Sequence, residues 1–169
     1  MRFPLIIAAC LALGACVEPG AEGYELANMR PSNIVPKSSP ARLVAIFEDI
    51  CLDGPTDANA TAGRLRTMDY VEVPSRQPRA IRSFVVDDSR PAIMLGSDGR
   101  SCAVAARSRT GQTERLRSLN ARRYPGATAL GGAGIEQGWS LGGGNGAVLV
   151  RRVVRPGYPS ELIVIHQRS

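Results

Sequence analysis

Residues 80–107 read AIRSFVVDDSRPAIMLGSDGRSCAVAAR. Apolar runs at 80–87, 91–95 and 101–107 have the length of strands and are parted by Asp88-Ser89-Arg90 and Ser97-Asp98-Gly99. The second parting is a turn sequence, because Asp bonds nearby backbone and Gly accepts a positive φ. Strand side chains alternate between faces, so Cys102, Val104 and Ala106 share one side of the last run.

Downstream, Leu116 and Leu119 fall at helical spacing within 113–123, and Pro125-Gly126 stops that helix. Residues 134–141, 147–155 and 161–167 then read as a meander, joined by Gly142-Gly143-Gly144-Asn145-Gly146 and Pro156-Gly157-Tyr158-Pro159. Upstream, Ser39-Pro40 is an N-cap followed by a residue suited to the first helical turn. Leu43, Ile46, Phe47 and Ile50 keep helical spacing, with Cys51 one turn beyond Phe47, until Asp53-Gly54. Pro55 opens a second helix with a stripe of Ala58, Ala62, Leu65 and Met68, and Pro74 and Pro78 break the chain again. The order α-α-β-β-β-α-β-β-β predicts an α+β domain: a mainly antiparallel sheet of about six strands with two or three helices packed on one face. We find no internal repeat.

The N-terminus has a different character. Residues 1–16 read MRFPLIIAACLALGAC: Arg2 is followed by an uncharged apolar run over 3–13, the length of a signal-peptide core and short of the roughly 20 residues that span a bilayer. Leu13-Gly14-Ala15-Cys16 resembles the lipobox of bacterial lipoproteins. The resemblance implies a signal peptide over 1–15, cleavage before Cys16, and acyl chains such as palmitate on that cysteine. Val17, where an Asp favours inner-membrane retention in enterobacterial lipoproteins, implies an outer-membrane, periplasm-facing location; the inner membrane and the cell surface stay open. Residues 17–38 hold Pro19, Gly20, Gly23, Pro31 and Pro36 without an apolar period and read as a tether, so 16–38 form a lipidated N-terminus and 39–169 a single domain. The placing of Phe47, Cys51, Cys102 and the glycine-rich meander also resembles that of small exported proteins of alphaproteobacteria, which implies no activity.

Lipid export bears on the cysteines. Cys10 leaves with the leader and Cys16 is taken by lipid, so Cys51 and Cys102 remain in an oxidising compartment, where a disulfide is the default expectation. A redox or metal pair and two buried thiols are the alternatives, but there is no CxxC spacing. Among the 169 residues Lys37 is the sole lysine, and arginine supplies nearly all of the +6 charge. A basic domain tethered near anionic lipid is drawn to it or to acidic partners. No nucleic-acid recognition motif is present, so nucleic acid is not expected.

The chemistry is sparse. His166 is the one histidine, so a Ser-His-Asp or Cys-His centre has little to draw on, and a zinc site would have one His and no free Cys. Asp87-Asp88 point to opposite sides of a strand and read as a turn; Glu48-Asp49 read as a solvated helix face. The glycine run near Trp139 lacks the Lys-Ser/Thr and the following helix of a phosphate loop. Arginines gather at Arg64, Arg66, Arg76, Arg79 and Arg82; at Arg115, Arg117, Arg122 and Arg123; and at Arg151, Arg152 and Arg155. The candidate binding surface is Trp139 with Arg122, Arg123, Arg151 and Arg152. The expectation is a lipid-anchored, non-catalytic envelope module without metal or cofactor, binding an envelope protein or an anionic envelope component. The alternative is a periplasmic hydrolase that works without histidine.

Overall fold

The computed structural model describes residues 35–74 and 80–169. The expected leader over 1–15, the expected lipidation site Cys16, the expected tether up to residue 34, and Arg76, Pro78 and Arg79 lie outside the described residues.

Helix α1 (Pro40–Ile46) begins as its sequence directs: Ser39 Oγ accepts from Arg42 N at 3.2 Å. It runs into a π-helical turn (Phe47–Leu52), in which Asp53 N donates to Glu48 O at 2.9 Å. The wider turn brings Phe47, Ile50 and Cys51 all into the core. Helix α2 (Ala58–Thr67) starts later than Pro55, because Asp57 Oδ1 caps it by accepting from Ala60 N at 2.7 Å. Its buried residues are Ala58, Thr61, Ala62 and Leu65, with Met68 at the C-cap. Helix α3 (Gln112–Arg123) buries Leu116 and Leu119.

The strands are β1 (Val71–Glu72), β2 (Ile81–Val85), β3 (Ala92–Gly96), β4 (Ser101–Arg107), β5 (Thr128–Ala129), β6 (Gln137–Ser140), β7 (Ala147–Val153) and β8 (Glu161–Gln167). They form one antiparallel sheet of eight strands in the order β1-β2-β3-β4-β8-β7-β6-β5. The fold is α+β, with more strands than the expected six or so. The additions, β1 and β5, have two residues each and sit at the two edges. A two-residue strand carries no alternation to read, and such short edges also discourage pairing with another chain.

The sheet is two four-stranded meanders that meet at β4 and β8, in register from Ser101↔Gln167 to Arg107↔Glu161. One face carries Cys102, Val104 and Ala106 beside His166, Val164 and Leu162, flanked by Val148, Val150, Ile93, Leu95 and Phe84. Leu43, Phe47, Ile50, Leu65, Leu116 and Leu119 of the helices complete that core. The Cys51–Cys102 disulfide, with a Cα–Cα distance of 5.3 Å, ties the π-helical turn to β4. The other face carries Met94, Ala103, Ala105, Leu149, Ile163 and Ile165.

Two rims follow from the register. At the proximal rim lie the ends of β2, β4 and β7, the starts of β3 and β8, and the point where the chain joins the domain. There Arg107 N donates to Pro36 O at 2.8 Å and Lys37 N to Asp88 O at 2.6 Å, and Ser38 is fully buried. The anchored chain thus begins at Pro36, slightly before the boundary read from sequence at 39. At the distal rim lie the β3–β4 turn, the glycine loop 142–146 and the C-terminus.

Candidate functional site

The larger described cleft, of about 570 Å³, opens at the distal rim between Leu52, Asp98, Tyr124, Asn145, His166 and Arg168. Two of its polar groups, His166 and Arg168, already have main-chain partners. His166 is 7% exposed, and both ring nitrogens face main-chain carbonyls: Nδ1 lies 2.8 Å from Cys51 O and Nε2 2.9 Å from Asn145 O. Both nitrogens thus face main chain rather than a hydroxyl or thiol nucleophile. This ring joins the disulfide-bearing turn to the glycine loop, and Gly142, Gly143, Gly144 and Gly146 supply the positive φ angles that loop requires.

Arg168 acts similarly. Its Nη1 donates to Thr56 O at 3.1 Å and Gly99 O at 2.9 Å, and its Nη2 to Pro55 O at 3.2 Å and Cys51 O at 3.4 Å. The guanidinium is held by carbonyls rather than a carboxylate, and burial draws its pKa below the ordinary arginine value. Gly99 is close-packed here: a Cβ on it would stand 2.6 Å from Thr56 O. Sequence reasoning missed Arg168, since a penultimate arginine carries no local signal of its four distant partners.

The candidate surface residues do not converge. Trp139 lies on the helix-covered side of β6, opposite Val148, and packs partly buried against the core. Arg151 and Arg152 are neighbours on β7 and so point to opposite faces. Arg151 Nε donates to Gly134 O at 3.3 Å, while Arg152 Nε lies 2.7 Å from Glu136 Oε2. The Arg152 hydrogen bond lowers the Glu136 pKa, and Glu136 raises that of Arg152. Arg122 is exposed near the end of α3, whereas Arg123 reaches across to Asp53 at 2.6 Å and Glu48 at 3.0 Å. Its hydrogen bond to Asp53 holds that carboxyl below the usual range, and the two acids push the Arg123 pKa up. Glu48 and Asp49 are therefore paired on the helix surface, Asp49 with Arg64 at 2.6 Å. Asp87 and Asp88 part as expected of a turn: Asp87 Oδ1 accepts from Ser89 N and Arg90 N at 2.7 and 2.9 Å, and Asp88 pairs with Lys37.

The proximal rim differs. Its β7–β8 loop exposes Val154 at 71% and Tyr158 at 53%. Arg155 lies over the Tyr158 ring, 6.0 Å from its centroid, and pairs with Glu161 at 3.0 Å. Burial raises the Glu161 pKa, against the pull of Arg155. A shallow cleft of about 330 Å³ beside the loop is lined by Ser108, Arg109, Thr110, Thr113, Arg152 and Ser160. Among the described residues, Arg107, Arg109 and Arg151 pair with no carboxylate, no group of three or more His, Cys, Asp or Glu is placed to hold a metal ion, and no helix is long and apolar enough to cross a membrane. Comparison with protein-family models, curated proteins and solved structures finds no match to this chain.

Proposed function

We propose that the chain is a lipid-anchored envelope protein of the outer membrane, facing the periplasm, whose folded domain is a non-catalytic interaction module. The observation that carries this reading is the engagement of His166 and Arg168 by backbone carbonyls in the larger described cleft. A cleft whose best acid–base and cationic groups hold the fold together has them unavailable for catalysis. The lipobox-like Leu13-Gly14-Ala15-Cys16 supports the anchor. Two or three acyl chains anchor a protein stably, whereas one binds marginally.

The experiment is to express the full chain and Cys16→Ser with radiolabelled palmitate. The expected result is label and membrane retention in 1 M salt for the parent, and an unlabelled, unprocessed or soluble Cys16→Ser chain. Equal, salt-resistant retention of the variant would remove the lipid-anchor reading. His166→Ala is expected to leave the biological role intact in a folded protein; complete loss there would reopen an enzyme reading, with a centre that uses His166.

A further inference from the structure

We propose that the proximal rim is a contact surface for an anionic phospholipid bilayer, with Val154 and Tyr158 seated at the headgroup level and Arg107 and Arg109 against lipid phosphates. This rests on the lipid-anchor reading above and assigns it an orientation. Three observations place these features together. The chain joins the domain at this rim through Pro36 and Lys37. Even fully extended, the stretch from Cys16 to Pro36 spans no more than about 70 Å, so an anchored Cys16 confines the domain to the neighbourhood of the bilayer.

The β7–β8 loop next to that junction turns its apolar side chains outward, against the ordinary tendency of the hydrophobic effect. A valine and a tyrosine on one turn tip are far short of the roughly 800 Å² per partner of a stable protein interface, and they suit the shallow interfacial layer where tyrosine concentrates. Charge agrees with this. At the rim Asp87 pairs with Arg90, Asp88 with Lys37, Glu136 with Arg152 and Glu161 with Arg155. Arg42, which donates to Ser89, and Arg107 and Arg109 are left, all exposed, and Arg109 lines a cleft with Ser108, Thr110, Thr113 and Ser160. Hydroxyls and a guanidinium are phosphate-binding chemistry. A second copy of the chain would bring the same unneutralised cations to the contact, with Asp69, exposed just before β1, as a rim carboxylate outside these pairs.

The test uses the full chain with Cys16→Ser, so that acyl chains contribute nothing, and vesicles of phosphatidylglycerol with phosphatidylcholine or of phosphatidylcholine alone. Cosedimentation at low salt should show binding to the anionic vesicles only, fading as salt rises. Adding Arg107→Glu with Arg109→Glu should weaken binding about tenfold or more, since each basic residue near an anionic surface contributes substantially. Val154→Ser with Tyr158→Ser should weaken it about fivefold. Arg122→Glu, at the other end of α3, should change it less than about twofold. Hydrogen exchange should show protection of residues 154–160 on adding anionic vesicles. No binding to anionic vesicles, or equal weakening by Arg122→Glu, would overturn the proposal. So would concentration-dependent dimerisation abolished by the loop variants, which would assign the rim to a second copy. The palmitate experiment reads the anchor separately: loss of labelling would end the lipid reading whatever the vesicles show.

Discussion

The two rims of the sheet use the same residue types in opposite ways. At the distal rim Arg168 and His166 turn inward and bind main-chain carbonyls of Cys51, Pro55, Thr56, Gly99 and Asn145. Beside them the disulfide fixes Cys51 to β4. At the proximal rim Arg90 pairs with the exposed Asp87 and Arg155 with the buried Glu161, Arg107 and Arg109 stand free, and Val154 and Tyr158 face outward. Buried polar groups lose water and must be matched inside the protein, whereas exposed pairs compete with water and salt and add little. The distal rim is therefore where polar side chains hold the fold, and the proximal rim is where they remain available to something outside it.

The largest test of this contrast is the disulfide. Closing a loop with a sequence separation of 51 removes enough disorder from the unfolded chain to stabilise the domain by about 4 kcal/mol. Cys51→Ala and Cys102→Ala should each lower Tm by about 15 °C in thermal unfolding followed by circular dichroism, and to the same degree. Exported protein should show no free thiol until it is denatured with reductant present. Rapid alkylation of either cysteine in the native oxidised protein would contradict the bridge.

Next comes Arg168→Ala. The variant leaves carbonyls of Thr56, Gly99 and Pro55 without this donor, and a hydrogen bond to a charged group is typically worth about 2 kcal/mol. Tm should fall by about 8 °C, and hydrogen exchange should quicken over 51–57 and 97–100 while the proximal loops are unchanged. A Tm within 1 °C or so of the parent would show that the carbonyls find water as readily as Arg168.

Much of the fold follows from local chemistry that a sequence displays. Ser39 before Pro40, the turn at Ser97-Asp98-Gly99, and the alternation through Cys102, Val104 and Ala106 act within a few residues. The observed cap, the observed bounds of β4 and the shared face follow those signals. The Cys51–Cys102 pair was legible from cysteine arithmetic combined with the expectation of export. The rest depends on long-range partners. The edge strands β1 and β5 exist only because β2 and β6 offer backbone groups to pair with. The π-helical turn replaces the plain helix expected through Ile50, since Phe47, Ile50 and Cys51 all find room in the core. The set Trp139, Arg122, Arg123, Arg151 and Arg152 was chosen from clustering along the chain. Strand alternation divides Arg151 from Arg152, and Asp53 and Glu48 claim Arg123. Val154 and Tyr158 drew no notice in sequence, because only their exposure beside the chain junction singles them out.

Tyr70 sharpens the comparison from the proximal side, where it is a buried polar group matched by main chain as the distal ones are. Its hydroxyl donates to Pro91 O at 3.1 Å, and Arg90 lies 5.5 Å from the centre of its ring. Burial pushes the phenol up to about 12 from 10.0. The folded pKa lies above the unfolded one, so this group's contribution is fully present below pH 10 or so and is lost as pH rises toward 12. The phenolate absorbance of Tyr70, isolated as the difference between the parent and Tyr70→Phe, should rise near pH 12. The parent should also lose stability above pH 10 more steeply than the variant. At neutral pH Tyr70→Phe should cost about 1 kcal/mol, one net hydrogen bond. A phenol titrating near 10 in the folded protein would mean that the proximal loops open too easily to keep Tyr70 dry.

The smallest effect belongs to Lys37. Its Nζ lies 2.7 Å from Asp88 Oδ2, but the two side chains are 56% and 60% exposed. An ion pair that open to solvent contributes at most about 0.5 kcal/mol and is screened by salt. The hydrogen bond from Lys37 holds the Asp88 carboxyl below its ordinary pKa, so whatever the pair adds is present above the unfolded carboxylate value and lost as pH falls. Lys37→Ala should therefore shift Tm by less than about 2 °C, and the shift should shrink further in 1 M salt. The junction itself should persist, because it is made by backbone: Lys37 N to Asp88 O and Arg107 N to Pro36 O. Amide exchange at Lys37 and Arg107 measures that directly, and both should stay protected in Lys37→Ala. Loss of protection would mean that a surface charge, not the main chain, fastens the domain to the segment before it, and the proximal rim would then be held like the distal one.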